Sequence, residues 1–172
     1  MRTARILTLA AAVLFAGGAC SDDDNGNEPA TNFVATLSGG DEVPANASTA
    51  TGDATFSLDG DQLDYTVNTT GLENPVVAHI HIAAAGANGP VRLNLCGTGD
   101  PQPACGTGDG VLATGTNGTT VGDPPITFDD LIEAMRNGQA YVNVHTDDGA
   151  APPNSGPGDI ISGEIRGQIE VP

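Results

Sequence analysis

The sequence predicts an all-β fold, an antiparallel, Greek-key-like β-sandwich or barrel of roughly 7–9 strands with one short helix. Three observations carry that expectation. Gly (24) and Pro (12) are abundant, Trp is absent and aromatics make up 3% of the 172 residues, a composition suited to short strands joined by turns. Apolar and polar residues alternate with a period of two through one segment after another. Only one stretch shows helical spacing.

The elements follow in chain order. Phe33, Ala35 and Leu37 alternate with Val34 and Thr36, and Ala54, Phe56 and Leu58 alternate with Thr55, Ser57 and Asp59. After Asp59-Gly60, Leu63, Tyr65 and Val67 alternate with Asp64, Thr66 and Asn68. Alternation on both sides of Asp-Gly predicts a hairpin, because that dipeptide accepts the positive φ angles of a tight turn. Further strands are expected near residues 76–82, 91–95, 111–114, 140–146 and 161–169. The helix is expected to start at Thr127 as N-cap, with Asp129 and Asp130 at its positive end, and to stop at Gly138 after Arg136. Phe128, Leu131, Ile132 and Met135 supply its apolar face, with Met135 read as core packing, not as a thioether ligand.

The N-terminus reads as an address. Arg2 and Arg5 precede an apolar run over residues 6–15, then Ala16-Gly17-Gly18-Ala19 and Cys20. That is a secretory signal, too short for a spanning helix. It resembles a bacterial lipoprotein signal, cleaved before Cys20 with lipid added to that thiol, although Gly17 stands where such signals usually carry Leu. The expected organisation is therefore 1–19 signal peptide, 20–31 lipidated Cys20 and acidic tether, and 32–172 folded domain. Within the tether, Asp23, Asn25 and Asn27 suggest a calcium loop, but Glu28 stands where the EF-hand requires Gly. The expected location is export with lipid anchoring in the cell envelope, at the outer membrane in a Gram-negative cell, so the membrane is a partner through the anchor. Cys96 and Cys105 close a Gly/Pro-rich loop, which in an exported protein reads as a disulfide.

Charge narrows the partners. Lys is absent, and beyond the signal only Arg92, Arg136 and Arg166 stand against 22 acidic residues. Phosphate contacts need cations, so nucleic acid is excluded as a partner, while an acidic surface favours solubility and attracts cations.

The chain has three histidines, all in two strand-like phrases, Ala78-His79-Ile80-His81-Ile82 and Tyr141-Val142-Asn143-Val144-His145-Thr146. Side chains two apart share a strand face, so His79 and His81 stand together opposite Val76, Ala78, Ile80 and Ile82. Val142 and Val144 likewise place Tyr141, Asn143 and His145 on the polar side. If the two strands are neighbours, the imidazoles converge as a metal site with ligands suited to copper or zinc. If not, the histidines are structural hydrogen-bond donors. Glu164 and Arg166 share the polar face of the last strand, either as an ion pair or with Arg166 guiding an anion. No Gly-x-Ser-x-Gly elbow or phosphate-loop pattern occurs, and no catalytic residue is assigned.

Taken together, Ala35-Thr36-Leu37-Ser38-Gly39, Glu42-Val43-Pro44, Gly71-Leu72, Ala78-His79-Ile80-His81, Asn88-Gly89-Pro90-Val91, Tyr141 to Thr146 and Gly163-Glu164-Ile165-Arg166-Gly167-Gln168 resemble the CHRD domain, the module named for chordin. The resemblance spans about residues 32–170 and implies an extracellular or envelope binding module without an assigned chemistry. The His-x-His pair, the later Val-His and the final Arg are also similar to copper/zinc superoxide dismutase. That likeness implies copper at His79, His81 and His145 with Arg166 as guide. A complete two-metal site is excluded by the histidine count. Two function classes result: an envelope-anchored binding or scaffold module for an unidentified envelope or extracellular macromolecule, or a copper-binding protein for metal handling or superoxide-type redox chemistry.

Overall fold

The period-two alternation becomes the two faces of one sheet. The computed structural model describes residues 29–98 and 102–172, so the signal peptide, Cys20 and nearly all of the tether lie outside the described residues. Eight strands form: β1 (Asn32–Ser38), β2 (Thr51–Asp59), β3 (Gln62–Thr70), β4 (Pro75–Ile82), β5 (Val91–Cys96), β6 (Gly110–Asn117), β7 (Ala140–Thr146) and β8 (Ile165–Gln168). A 3-10 turn (Gly39–Asp41) follows β1, and one helix, α1 (Phe128–Arg136), lies between β6 and β7. The strands run β5-β4-β7-β8-β1-β2-β3-β6 in a single sheet whose neighbours are all antiparallel.

The sheet nearly closes on itself. Tyr65 Oη of β3 donates to Leu95 O of β5 at 2.8 Å, and Asn117 Nδ2 of β6 donates to Asn94 O of β5 at 3.0 Å. These bonds tie β5 to β3 and β6 across the gap between the two ends of the sheet. Inside lie Phe33, Leu37, Phe56, Leu63, Val67, Ile80, Leu93, Leu95, Val142, Val144 and Ile165, all buried. Helix α1 adds Leu131, Ile132 and Met135 to that core. Its start is the expected one: the Thr127 hydroxyl accepts from Asp130 N while the Asp130 carboxylate accepts from Thr127 N, a complete capping box.

One strand differs from its expected length. The segment anticipated over 161–169 pairs regularly only from Ile165, because Gly163 N turns back to Ile160 O at 3.0 Å and Gly163 sits at φ 127°. A Cβ at Gly163 would stand 2.7 Å from the Asn143 amide and 2.8 Å from Glu42 Oε1, so the turn needs glycine for space as well as for φ.

Strand β7 positions everything that follows. A half-buried strand shows one wet face, yet Tyr141 and Asn143 on its outer face are as buried as Val142 and Val144 on its inner one. The outer face is covered by three connections, residues 42–48, 83–90 and 147–163, which bond to it or to its neighbours.

Cys96 and Cys105 form the expected disulfide, with Cα atoms 5.0 Å apart. Closing so short a loop restricts the unfolded chain, which in the chain-entropy account is worth roughly 2–3 kcal/mol. Replacing both cysteines by Ala should lower the unfolding free energy by about that amount in urea titration, without loss of β-sheet circular dichroism.

Candidate metal centre

Pairing of β4 with β7 brings the histidines together. His79 faces Asn143, His81 faces Tyr141 and Val77 faces His145 in the antiparallel register. Ala78 and Ile80 point into the core at 0% exposure, so His79 and His81 must point out of it, onto the covered outer face. The ring centroids lie 5.7 Å apart for His79–His81, 5.3 Å for His79–His145 and 6.2 Å for His81–His145. Each residue offers one ring nitrogen, and no two of these are more than 4.8 Å apart.

The tautomers follow from the hydrogen bonds. His81 Nδ1 lies 2.9 Å from Gly89 O, and His145 Nδ1 lies 2.9 Å from Ile161 O. A carbonyl oxygen only accepts, so both Nδ1 atoms carry the hydrogen and both Nε2 atoms keep a lone pair. Those Nε2 atoms, together with His79 Nδ1, are buried and have no hydrogen-bond partner among the described residues. Fixing one ring nitrogen on a carbonyl and leaving the other free is how proteins aim an imidazole at a metal.

Electrostatics favour the neutral, ligating form. Burial, then the neighbouring His145 and His81, pushes His79 down to about 4. Burial also brings His81 to about 4, with His145 and Arg166 adding to the fall and the Gly89 carbonyl opposing it. His145 is lowered by burial against the opposing Ile161 carbonyl. All three rings are therefore uncharged at neutral pH.

The surroundings are polar and mostly satisfied. The Tyr141 ring stacks on His81 at 4.8 Å and 11°, and the Arg166 guanidinium carbon stands 3.4 Å from the centroid of the same tyrosine ring. Arg166, only 2% exposed, donates to Ala87 O at 2.8 Å and to Asn88 Oδ1 at 3.2 Å. Asn143 stands between His79 on β4 and Arg166 on β8. Glu164 shares the outer face with Arg166 but takes different partners: Ser48 Oγ at 2.6 Å, Thr146 Oγ1 at 2.5 Å and Gly158 N at 2.7 Å. It pins the covering connections to the sheet, while Arg166 packs against the tyrosine that backs His81.

Sequence reasoning assigned no chemistry to Glu42, which the fold brings to this face. Glu42 Oε2 accepts from Asn143 Nδ2 at 3.5 Å, while Glu42 Oε1 and Asn143 Oδ1 have no partner. Burial raises the Glu42 carboxyl to about 7, with Arg166 and Asn143 pulling the other way. Glu42, Pro44, Asn88, Asn154, Ile160 and Gly163 line a neighbouring cavity of about 510 Å³. The only sequence signal for Glu42 was its place in Glu42-Val43-Pro44.

These shifts act on stability in opposite directions. His79 and His81 titrate near 4 when folded and near 6.5 when free, so their contribution is present above pH 6.5 and is lost as pH falls through 4. Glu42 titrates near 7 when folded and near 4.5 when free, so its contribution is present below pH 4.5 and is lost as pH rises through 7. Glu42→Gln should therefore match the parent near pH 4.5 and exceed it at pH 8 by on the order of 1–3 kcal/mol. Urea unfolding in chelator across that pH range measures the difference.

Comparison with known proteins places the chain in a family. A family model described as the CHRD domain matches residues 33–153, a stretch that holds all three histidines and ends before Arg166. No curated protein matches the chain. With the match covering well over half of its residues, the chain belongs to the CHRD domain family.

Proposed function

We propose that this protein is an envelope-anchored CHRD-domain binding module whose ligand at the outer face of β4 and β7 is a copper ion held by His79, His81 and His145. One observation carries the reading. Three buried ring nitrogens have no partner among the described residues, on rings whose offered nitrogens lie no more than 4.8 Å apart. Leaving a buried acceptor unpaired costs about 1–3 kcal/mol each, a cost that a shared ligand would remove. Two nitrogens on one ion at 2.0–2.1 Å stand at most about 4.2 Å apart, so the rings would draw together on taking up the ion.

Donor chemistry selects the metal class. Imidazole nitrogens suit copper and zinc, and at equal availability the divalent series places copper above zinc. Three protein ligands leave a position for a small exogenous ligand, as metal handling or superoxide-type redox chemistry needs. Arg166 has its guanidinium stacked on Tyr141 and bonded to residues 87 and 88, which fits positioning of the His81 support better than delivery of an anion. Anchoring through Cys20, after cleavage of residues 1–19, would hold this site at the membrane surface by the tether over 20–31.

Titrating the chelator-stripped protein with copper and with zinc tests the site. One tight equivalent of copper is expected, weakened by about tenfold to a hundredfold or more in His79→Ala and in His145→Ala. No saturable binding at micromolar copper would make the histidines purely structural and leave the family's macromolecule-binding reading alone. The anchor is tested separately: Cys20→Ser should move the protein from the membrane fraction to the soluble one, and an unchanged distribution would remove the lipid.

A further inference from the structure

The connection between β7 and β8 carries a second group of possible ligands, of different chemistry. Asp147, Asp148 and Asp159 each present a carboxylate oxygen, and no two of these are more than 4.8 Å apart. Asp147 Oδ1 accepts from Gly149 N and Asp148 Oδ1 from Ala150 N, both at 2.7 Å, so one oxygen of each side chain shapes the start of the loop. Asp159 comes from the far end of the loop and is different in kind. It is only 3% exposed, its Oδ2 accepts from Ser155 N at 2.9 Å, and its Oδ1 is buried with no partner among the described residues.

We propose that Asp147, Asp148 and Asp159 form a calcium site that ties the two ends of the 147–159 loop together. Size and ligand type favour this ion. Calcium takes six to eight oxygen ligands in flexible geometry, carboxylates among them, which suits three side chains drawn from the two ends of an irregular loop. Magnesium demands near-ideal octahedral geometry and keeps several waters, so an irregular all-carboxylate loop suits it less. Carboxylates do not compete well for copper against the nearby imidazoles, so the two sites sort metals by donor chemistry. The unpartnered Oδ1 of the otherwise buried Asp159 carboxylate supplies the second reason, since a buried acceptor left beside two other acids is favoured by a cation.

The loop has a task that such a clamp would serve. Ile161 O, two residues beyond Asp159, fixes the Nδ1 of His145 at 2.9 Å. Ile160 N donates to Thr146 Oγ1 at 2.9 Å, and Gly158 N donates to Glu164 at 2.7 Å. A calcium ion drawn between Asp147 and Asp159 would hold these bonds in place whether or not copper is bound, so the site does not depend on the copper reading.

Calorimetric titration of the stripped protein with calcium chloride tests this, read together with protection of the 147–159 segment from limited proteolysis. One equivalent is expected with a dissociation constant in the range of about 10⁻⁴–10⁻³ M, as in extracellular modules. Asp148→Asn, an exposed change, and Asp159→Asn should each weaken it by about tenfold or more and abolish the calcium-dependent protection. The remote Asp61→Asn should leave calcium binding unchanged. If Asp159→Asn fails to fold, Asp148→Asn decides the matter. No saturable binding below about 10 mM would overturn the site. So would equal weakening by Asp61→Asn, which would assign the ion to the diffuse acidic surface.

Discussion

The register between β4 and β7 is the constraint on which the rest depends. These strands are some sixty residues apart in the chain, yet His79 pairs with Asn143 and His81 with Tyr141. Side chains in a strand alternate, so a slip of one residue would send both histidines into the core and Ala78 and Ile80 out of it. The core does not permit that: Ala78, Ile80, Val142 and Val144 are all at 0% exposure. Hydrophobic burial thus fixes the position of the imidazoles, and the site inherits its geometry from packing on the opposite face.

What makes the outer face unusual is that it is covered without being fully satisfied. Buried polar atoms in native proteins are nearly always paired, and exceptions call for a physical reason. Here the unpartnered buried side-chain atoms among the described residues are Glu42 Oε1, His79 Nδ1, His81 Nε2, Asn143 Oδ1, His145 Nε2 and Asp159 Oδ1. They are ring nitrogens, carboxyl oxygens and an amide oxygen, and the two whose tautomer is fixed, His81 Nε2 and His145 Nε2, keep a lone pair. The covering connections supply carbonyls to His81 and His145 but no donor to the free nitrogens. A face that withholds donors from a cluster of acceptors is electrostatically complementary to cations, in keeping with the acidic balance of the whole chain.

Much of the fold was legible because local rules and packing agree along this chain. The Asp59-Gly60 hairpin, the Thr127 cap and the Cys96–Cys105 bridge each rest on short-range chemistry, and the structure has all three. The outer faces of β4 and β7 were readable for the same reason, as alternation fixed which side the histidines take. Adjacency of the two strands was not readable, since it depends on how the whole sheet closes. The roles of Glu42, Ile161 and Asp159 were hidden for a related reason. They lie in connections, where no periodicity reports orientation, and Ile161 contributes a backbone carbonyl that any residue could supply. The start of the last strand was misjudged because apolar Ile161 extends the alternation, whereas Gly163 breaks the pairing through its backbone.

Glu164 shows how the two ends of the site are made interdependent. Its carboxylate joins Ser48 in one covering connection, Gly158 in another and Thr146 on β7, the residue between His145 and Asp147. Thr146 in turn accepts from Ile160 N, next to the carbonyl that orients His145. A movement of the 147–163 connection therefore cannot leave His145 undisturbed, because the bonds that seat the loop and the bond that aims the ring share a backbone. Such a loop is a poor place for a tolerant linker and a good place for a ligand-dependent brace: its bonds converge on a few buried groups, so ordering it once orders the imidazole as well.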